Sequence, residues 1–416
     1  MTPLRVVITA RAVFPLHGYG GLERHVYDLV RALAERDVRV MLVTQPPTRP
    51  GSWSPAAIHP ALSAEFIPYR TFPMAGRRGT TVLDRSTAYP IFGLRAGRRA
   101  LAIVRAGQAD IVHGLGASVL GYARARRRGL ADAPLVLNPQ GLEEFGATDP
   151  SRAPLKRAAY LPLRRAVLAC AAAADAVIAT DRALEPVVFR HLHIAPDRLR
   201  LIPNAVDLPA IDALTDPALT ADLRQQHAIA ADERVLLSAG RLEANKGFDV
   251  LLRAIAALRE HGALDGRPWR AVIAGDGPYR PALEALVEQL GIGAHVRVLG
   301  RVSDAEMHAW HDASTLFVHP TLYEGSSLVT LEAMAHSRAI VASAAGGLPD
   351  KVRPGENGWL VPPGDASALA ATLSGALADA ARLAEYGRAS RRIVEREFSW
   401  AAAGDRTLAL YRELLG

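Results

Sequence analysis

Along both halves of this chain, short β-branched runs alternate with glycine-bearing loops and amphipathic helical stretches. That alternation constrains the fold more than any other feature. Strands separated by helices must cross over and lie parallel, with helices covering the sheet. In the first half the strand-like runs are Val6–Ala10, Val38–Thr44, Ile111–His113, Leu135–Asn138 and Ala176–Ala179. In the second half they are Val235–Ala239, Ala271–Ala274, Val296–Leu299, Leu316–His319 and Ala339–Ala342. Leu22 to Glu35 carries apolar residues at three- and four-residue steps and predicts the first helix.

At 416 residues the chain is too long for one hydrophobic core. A break falls at Ile202-Pro203-Asn204-Ala205-Val206-Asp207-Leu208-Pro209, where prolines and turn formers end one βα series before the next begins. The expected fold is therefore α/β, with two Rossmann-like, doubly wound domains facing a cleft. Residues 1–205 form the first domain and 206–399 the second. A terminal helix, Trp400 to Leu415, has no strand after it and is expected to cross back onto the first domain. Ser52 to Gly97 reads as a long loop with short pieces of structure, because of its prolines and glycines.

Composition excludes several classes. A single cysteine, Cys170, rules out a disulfide framework and a multi-cysteine metal site, and its Ala-rich surroundings predict a small buried apolar residue. The N-terminus lacks a charged-then-apolar signal pattern, and no apolar run approaches the roughly 18 residues that cross a bilayer. A cytoplasmic protein is expected. Residues 1–205 hold 28 Lys+Arg against 15 Asp+Glu, a net of +13, and the remainder holds 21 against 27, a net of −6. A basic half beside an acidic one points to peripheral contact with an anionic membrane face or to a phosphate-bearing acceptor. Solvated arginine faces without a partner are the plain alternative. No nucleic-acid partner is expected.

Four segments stand where open α/β sheets bind ligands, beyond the carboxyl ends of strands. Gly18-Tyr19-Gly20-Gly21-Leu22-Glu23 follows the first strand; it is either a loop that hugs a phosphate or a tight turn. Gly240-Arg241-Leu242-Glu243-Ala244-Asn245-Lys246-Gly247 follows a strand and leads into Val250–Glu260. There Arg241 offers a planar fork and Lys246 a point charge, able to converge on one diphosphate. Gly275-Asp276-Gly277-Pro278 is a tight turn, readable as phosphate-binding or as purely structural. Glu324-Gly325-Ser326-Ser327-Leu328-Val329-Thr330-Leu331-Glu332 is the most informative. Its serines predict an N-cap and a helix mouth whose free N–H groups hold a phosphate. Glu324 then lies on the loop facing a sugar, and Glu332 about two turns into the helix, gripping ribose hydroxyls.

With these segments in this order, the sequence resembles family 4 of the retaining glycosyltransferases, enzymes of the GT-B architecture, over nearly its whole length. The Glu-x7-Glu element Glu324 to Glu332 is the most specific match, followed by Gly240, Arg241 and Lys246. Gly20-Gly21, Pro203-Asn204-Ala205-Val206-Asp207 and Gly346-Gly347 also match.

The resemblance implies that Arg241 and Lys246 bind the donor diphosphate, with Gly21 approaching from the other domain. Gly325, Ser326, Ser327 and Leu328 would offer N–H groups, Glu332 would bind ribose and Glu324 the transferred sugar. Arg301-Val302-Ser303 would meet the base, and Gly240 and Gly275 would line the donor site. Gln140 stands where the family usually carries a histidine, in the stretch Leu137 to Phe145 that also holds Glu143. Glutamine can hydrogen-bond a sugar hydroxyl but cannot act as acid or base near neutral pH. His113 is a second sugar-side candidate, or else a core histidine.

The implied activity is hexosyl transfer from a nucleoside-diphosphate sugar to a glycan, lipid or small-molecule acceptor. Retention would follow from front-face attack, and closure of the cleft would exclude water. Arg241, Lys246 and the helix N-terminus would carry the leaving-group charge. No metal or other cofactor is expected, and no Asp-x-Asp pair occurs. A sugar-nucleotide epimerase of the same architecture and a non-catalytic nucleotide-sugar-binding protein are the alternatives.

Overall fold

The computed structural model describes residues 3–18, 20–47, 55–69, 80–139, 142–145, 158–260 and 268–416. The chain divides into two compact units, Met1–Asn204 with Trp400–Gly416, and Ala205–Ser399.

The first unit holds strands β1 (Arg5–Thr9), β2 (Arg39–Thr44), β3 (Leu62–Phe66), β4 (Ile111–Leu115), β5 (Leu135–Asn138), β6 (Ala176–Ala179) and β7 (Leu199–Leu201). They form one sheet in the order β3-β2-β1-β4-β5-β6-β7, and every pairing is parallel. The central strands are buried along their whole length, as a sheet covered on both faces requires. Val7, Val43, Val112, Leu137 and Val177 share one core with helices α2 (Thr80–Arg105), α3 (Leu120–Arg126) and α4 (Leu161–Ala173). Helix α1 (Gly21–Ala34) packs with the terminal helix, Trp400–Leu415. His113 of β4 meets that terminal helix, its Nδ1 lying 2.6 Å from the Tyr411 hydroxyl.

Helix α2 corrects the expectation of a long loop over Ser52–Gly97, since it runs for 26 residues from Thr80. The glycines that suggested loop are sites of close helix approach. A Cβ on Gly93 would lie 1.9 Å from the carbonyl oxygen of Ala117, and one on Gly97 would lie 2.5 Å from the backbone nitrogen of Gly121. A Cβ on Gly121 would in turn lie 2.2 Å from the carbonyl oxygen of Leu94. Cys170 is fully buried in the same core, and burial pushes its thiol up to about 12.

The second unit holds β8 (Arg234–Ala239), β9 (Trp269–Ala274), β10 (Val296–Gly300), β11 (Leu316–His319), β12 (Ala339–Ser343) and β13 (Gly358–Val361). Its sheet is ordered β10-β9-β8-β11-β12-β13, again with every pairing parallel. Alternate residues feed two cores. Leu236, Ile273 and Val318 pack with helix α5 (Phe248–Glu260), while Leu237, Val272 and Phe317 pack with α6 (Asp304–Ala313) and α7 (Leu328–Ala335). Among the described residues no helix is long and apolar enough to cross a membrane.

Candidate functional site

In the second sheet the strand order reverses between β8 and β11, the point at which open α/β sheets hold ligands. The loops that leave these two strands are pressed together. Gly247 takes φ +66°, and a Cβ there would lie 2.1 Å from the carbonyl oxygen of Pro320. The Leu322 N–H and the Thr321 hydroxyl both donate to the carbonyl of Asn245, at 2.9 and 3.1 Å.

This zippered pair of loops brings Lys246 to Glu324. The Lys246 ammonium donates to Oε2 of Glu324 at 2.6 Å. His319, buried at the end of β11, reaches the same oxygen through Nε2 at 3.0 Å, and the Gly325 N–H donates to Oε1 at 3.1 Å. Burial alone would raise the Glu324 carboxyl. The hydrogen bond and charge of His319, then those of Lys246, outweigh it and hold the group down to about 2. Glu324 is thus a fixed carboxylate that can only accept hydrogen bonds, which places the His319 proton on Nε2. The sequence reading missed His319, because a lone histidine ending an apolar strand carries no spacing signal.

Helix α7 opens directly beyond this cluster. Ser327 is its N-cap and accepts from the Thr330 N–H at 3.3 Å, as its serines predicted. Among the described residues the buried Oγ of Ser326 has no hydrogen-bond partner. Gly325 has no positive φ, and a Cβ there would meet nothing within 4 Å. The space beside it is open. Gly346 differs, since it takes φ +53° and a Cβ on it would lie 1.6 Å from the carbonyl oxygen of Glu324. The Gly346-Gly347 turn therefore buttresses the Glu324 loop, and the Gly347 N–H donates to the Gly325 carbonyl at 3.2 Å. Glu332 sits half-buried on α7, four residues past Leu328. It lies about one turn into the helix rather than two, because the helix starts at Leu328 and not at Gly325.

The Arg241 guanidinium pairs with Glu243 at 3.0 Å and stays 72% exposed. Gly240 and Gly275 back onto one another, and a Cβ on Gly275 would lie 1.8 Å from the Gly240 carbonyl oxygen. The glycine-rich turn after β9 thus has a packing role. Arg301 and Val302 follow β10 and lead to Ser303, the N-cap of α6, which forms a reciprocal capping box with Glu306.

In the first unit, Gly20 is the extended N-cap of α1 and Gly21 its first residue. The Glu23 carboxylate folds back over Gly20, where a Cβ would lie 2.6 Å from Oε2. His113 is 1% exposed and hydrogen-bonded to Tyr411, which assigns it to the core and corrects its candidacy as a sugar-side residue. Gln140 lies outside the described residues, as does Tyr19. Glu143 lies in a short 3-10 turn, Glu143–Phe145.

Comparison with known proteins sorts these features into one family. The model for Glycosyltransferase Family 4 matches residues 19–209, and that for Glycosyl transferases group 1 matches residues 220–392. The D-inositol 3-phosphate glycosyltransferase of Xylanimonas cellulosilytica is 30% identical over 414 residues, which cover 95% of this chain and 92% of that one. The chain belongs to the family 4 glycosyltransferases. A second relative, D-inositol 3-phosphate glycosyltransferase 1 of Catenulispora acidiphila, is 34% identical over 320 residues, covering 74% of this glycosyltransferase and 73% of the relative. Among solved structures, the sucrose-phosphate synthase of Thermosynechococcus elongatus superposes with a TM-score of 0.73 at 25% identity, covering 99% of each chain. The fold of this glycosyltransferase is GT-B.

Proposed function

We propose that this glycosyltransferase moves a hexose from a nucleoside-diphosphate sugar to an acceptor with retention of configuration and without a metal. The second unit would bind the donor and the first the acceptor. One observation carries the reading: Lys246, His319 and the N–H of Gly325 converge on Glu324 at the mouth of α7, across the switch point of the sheet.

The diphosphate would take the mouth of α7, where the helix dipole, the N–H groups of Ser326 to Leu328 and the Ser326 hydroxyl, unpartnered among the described residues, favour an anion. There it would compete with Glu324 for Lys246, and Arg241 would leave Glu243 to add its fork. These cations would stabilise charge developing on the leaving phosphate oxygen. Glu324, ionised down to about pH 2, is unsuited to proton donation and would accept hydrogen bonds from sugar hydroxyls. Glu332 would hold ribose, and Arg301 and Val302 would meet the base. Retention would follow from front-face attack, with the departing phosphate oxygen taking the acceptor proton. The relatives' printed names point to a phosphate-bearing polyol as the first acceptor class to test.

The test is incubation with α-linked UDP- and GDP-hexoses and D-myo-inositol 3-phosphate in EDTA, followed by proton NMR of the anomeric signal. An α-linked product formed in EDTA supports the reading. A β-linked first product would overturn retention, and activity that needs an added divalent ion would overturn metal independence.

A further inference from the structure

The first sheet carries the same reversal as the second: β1 lies between β2 and β4, so strand order turns around between β1 and β4. A crevice beyond the carboxyl ends of these strands is lined by Ala10, Arg11 and Ala12 after β1, by Leu22 of α1, by Tyr89 of α2 and by Leu115 ending β4. This is the position that Lys246 and Glu324 occupy in the other unit. Apart from Arg11 and the tyrosine, these residues are apolar.

Arg11 is held by rings rather than by an acid. Its guanidinium carbon lies 5.6 Å from the Tyr89 ring centroid and 5.9 Å from that of Tyr69. Among the described residues no carboxylate pairs with it. By contrast, Arg5, Arg36, Arg99, Arg126 and Arg200 of the same unit each hold a carboxylate. Cation–π attraction positions the charge without consuming its N–H donors. The platform is fixed too. The Tyr89 hydroxyl donates to the Leu115 carbonyl at 2.8 Å, and it fills the space beside Gly116, where φ is +56° and a Cβ would lie 2.7 Å from that oxygen. Near the Tyr89 phenol, Arg85 adds a second positive charge and Glu144 a negative one.

We propose that Arg11 is the anion contact of the acceptor subsite, recognising a phosphate group carried by the acceptor. The guanidinium fork matches phosphate geometry, and an apolar crevice strengthens the attraction. This rests on the glycosyltransferase reading above, which assigns the acceptor to the first unit. It predicts that discrimination between phosphorylated and neutral acceptors resides at Arg11.

The test is calorimetry on the full chain with D-myo-inositol 3-phosphate, inorganic phosphate and myo-inositol, and with vesicles of phosphatidylinositol or of a phosphate-free neutral glycolipid. Wild type, Arg11→Gln and Arg11→Lys are compared, with and without saturating UDP or GDP. Wild type should bind a phosphate-bearing probe at least about tenfold more tightly than its neutral counterpart, the size expected of one charge-assisted hydrogen bond. Arg11→Gln should erase that preference and Arg11→Lys should keep part of it, with nucleoside diphosphate affinity unchanged in both. Response to the soluble probes marks a soluble acceptor; response to phosphatidylinositol vesicles alone marks a lipid-borne one and the membrane contact suggested by the basic half. Retained preference in Arg11→Gln, or no preference in wild type for any phosphate-bearing probe, would overturn the proposal. Loss of nucleoside diphosphate binding by wild type would instead strike the donor reading and leave the Arg11 comparison readable.

Discussion

At the scale of single residues, Glu324 and Glu332 divide the proposed donor site. Glu324 is wedged among Lys246, His319 and a backbone N–H, so its removal frees a lysine rather than a phosphate contact. Glu324→Ala should leave UDP or GDP affinity unchanged or tighter while turnover with the intact donor collapses. Glu332→Ala should weaken the nucleoside diphosphate itself by roughly tenfold or more, a hydrogen bond to a charged group being worth about 1.5–3 kcal/mol. Calorimetry with UDP and GDP on both variants decides between them, and equal losses would remove the distinction. Much of this cluster was legible in the sequence, because Glu-x7-Glu around a Gly-Ser-Ser entry fixes a carboxylate before a helix N-cap. The missing parts were those made by tertiary contact. His319 joins Glu324 because the chain bends at Leu322 and Tyr323, and Arg241 pairs with Glu243 two residues on.

At the scale of elements, the central strands were readable, as was the edge strand β10, and the other three edge strands were not. Leu135–Asn138, Ala176–Ala179 and Leu316–His319 are buried throughout and read as continuous apolar runs. β3, β7 and β13 end their sheets, are only partly buried, and include charged or bulky residues such as Glu65, Arg200 and Trp359. They have no such run to read. Helix α2 was hidden for a different reason. Its glycines are demanded by the approach of α3 and the turn before it, a requirement that exists only in three dimensions. Gly97→Ala should therefore destabilise the fold by about 1–3 kcal/mol, the usual cost of forcing a methyl group into a packed contact. Thermal unfolding is the measurement; an unchanged melting temperature would mean that α2 and α3 are not in close contact.

At the scale of the whole molecule, two buried imidazoles make stability depend on pH. His113 in the first unit is 1% exposed, and burial, then the charge of His25, pushes it down to about 3. His311 in the second is fully buried, with both ring nitrogens unpartnered among the described residues, and burial, then His336, His308 and Arg338, holds it well below its ordinary value. Each binds its proton more readily in the unfolded chain, so stability is complete above about pH 6.5 and is lost as pH falls below it. His113 alone should remove roughly 2 kcal/mol by pH 5. Glu324 does not oppose this, since its contribution fades only below the ordinary carboxylate range. The melting temperature should fall steadily from pH 7.5 to 5, and a flat profile would show that these imidazoles charge freely in the folded state.

The central claim is that donor chemistry is carried by the switch point of the second sheet, with Lys246 as its anchor. Release of nucleoside diphosphate from a panel of UDP-, GDP- and ADP-sugars tests it most directly, in EDTA and with D-myo-inositol 3-phosphate present to accept the glycosyl group, with wild type and Lys246→Ala compared at matched fold by circular dichroism. Wild type should release nucleoside diphosphate from one base class, and Lys246→Ala should lose about 10²-fold or more of that rate, the usual cost of removing a preorganised electrostatic contact. Release by folded Lys246→Ala at the wild-type rate, or no release by wild type from any sugar in the panel, would contradict it.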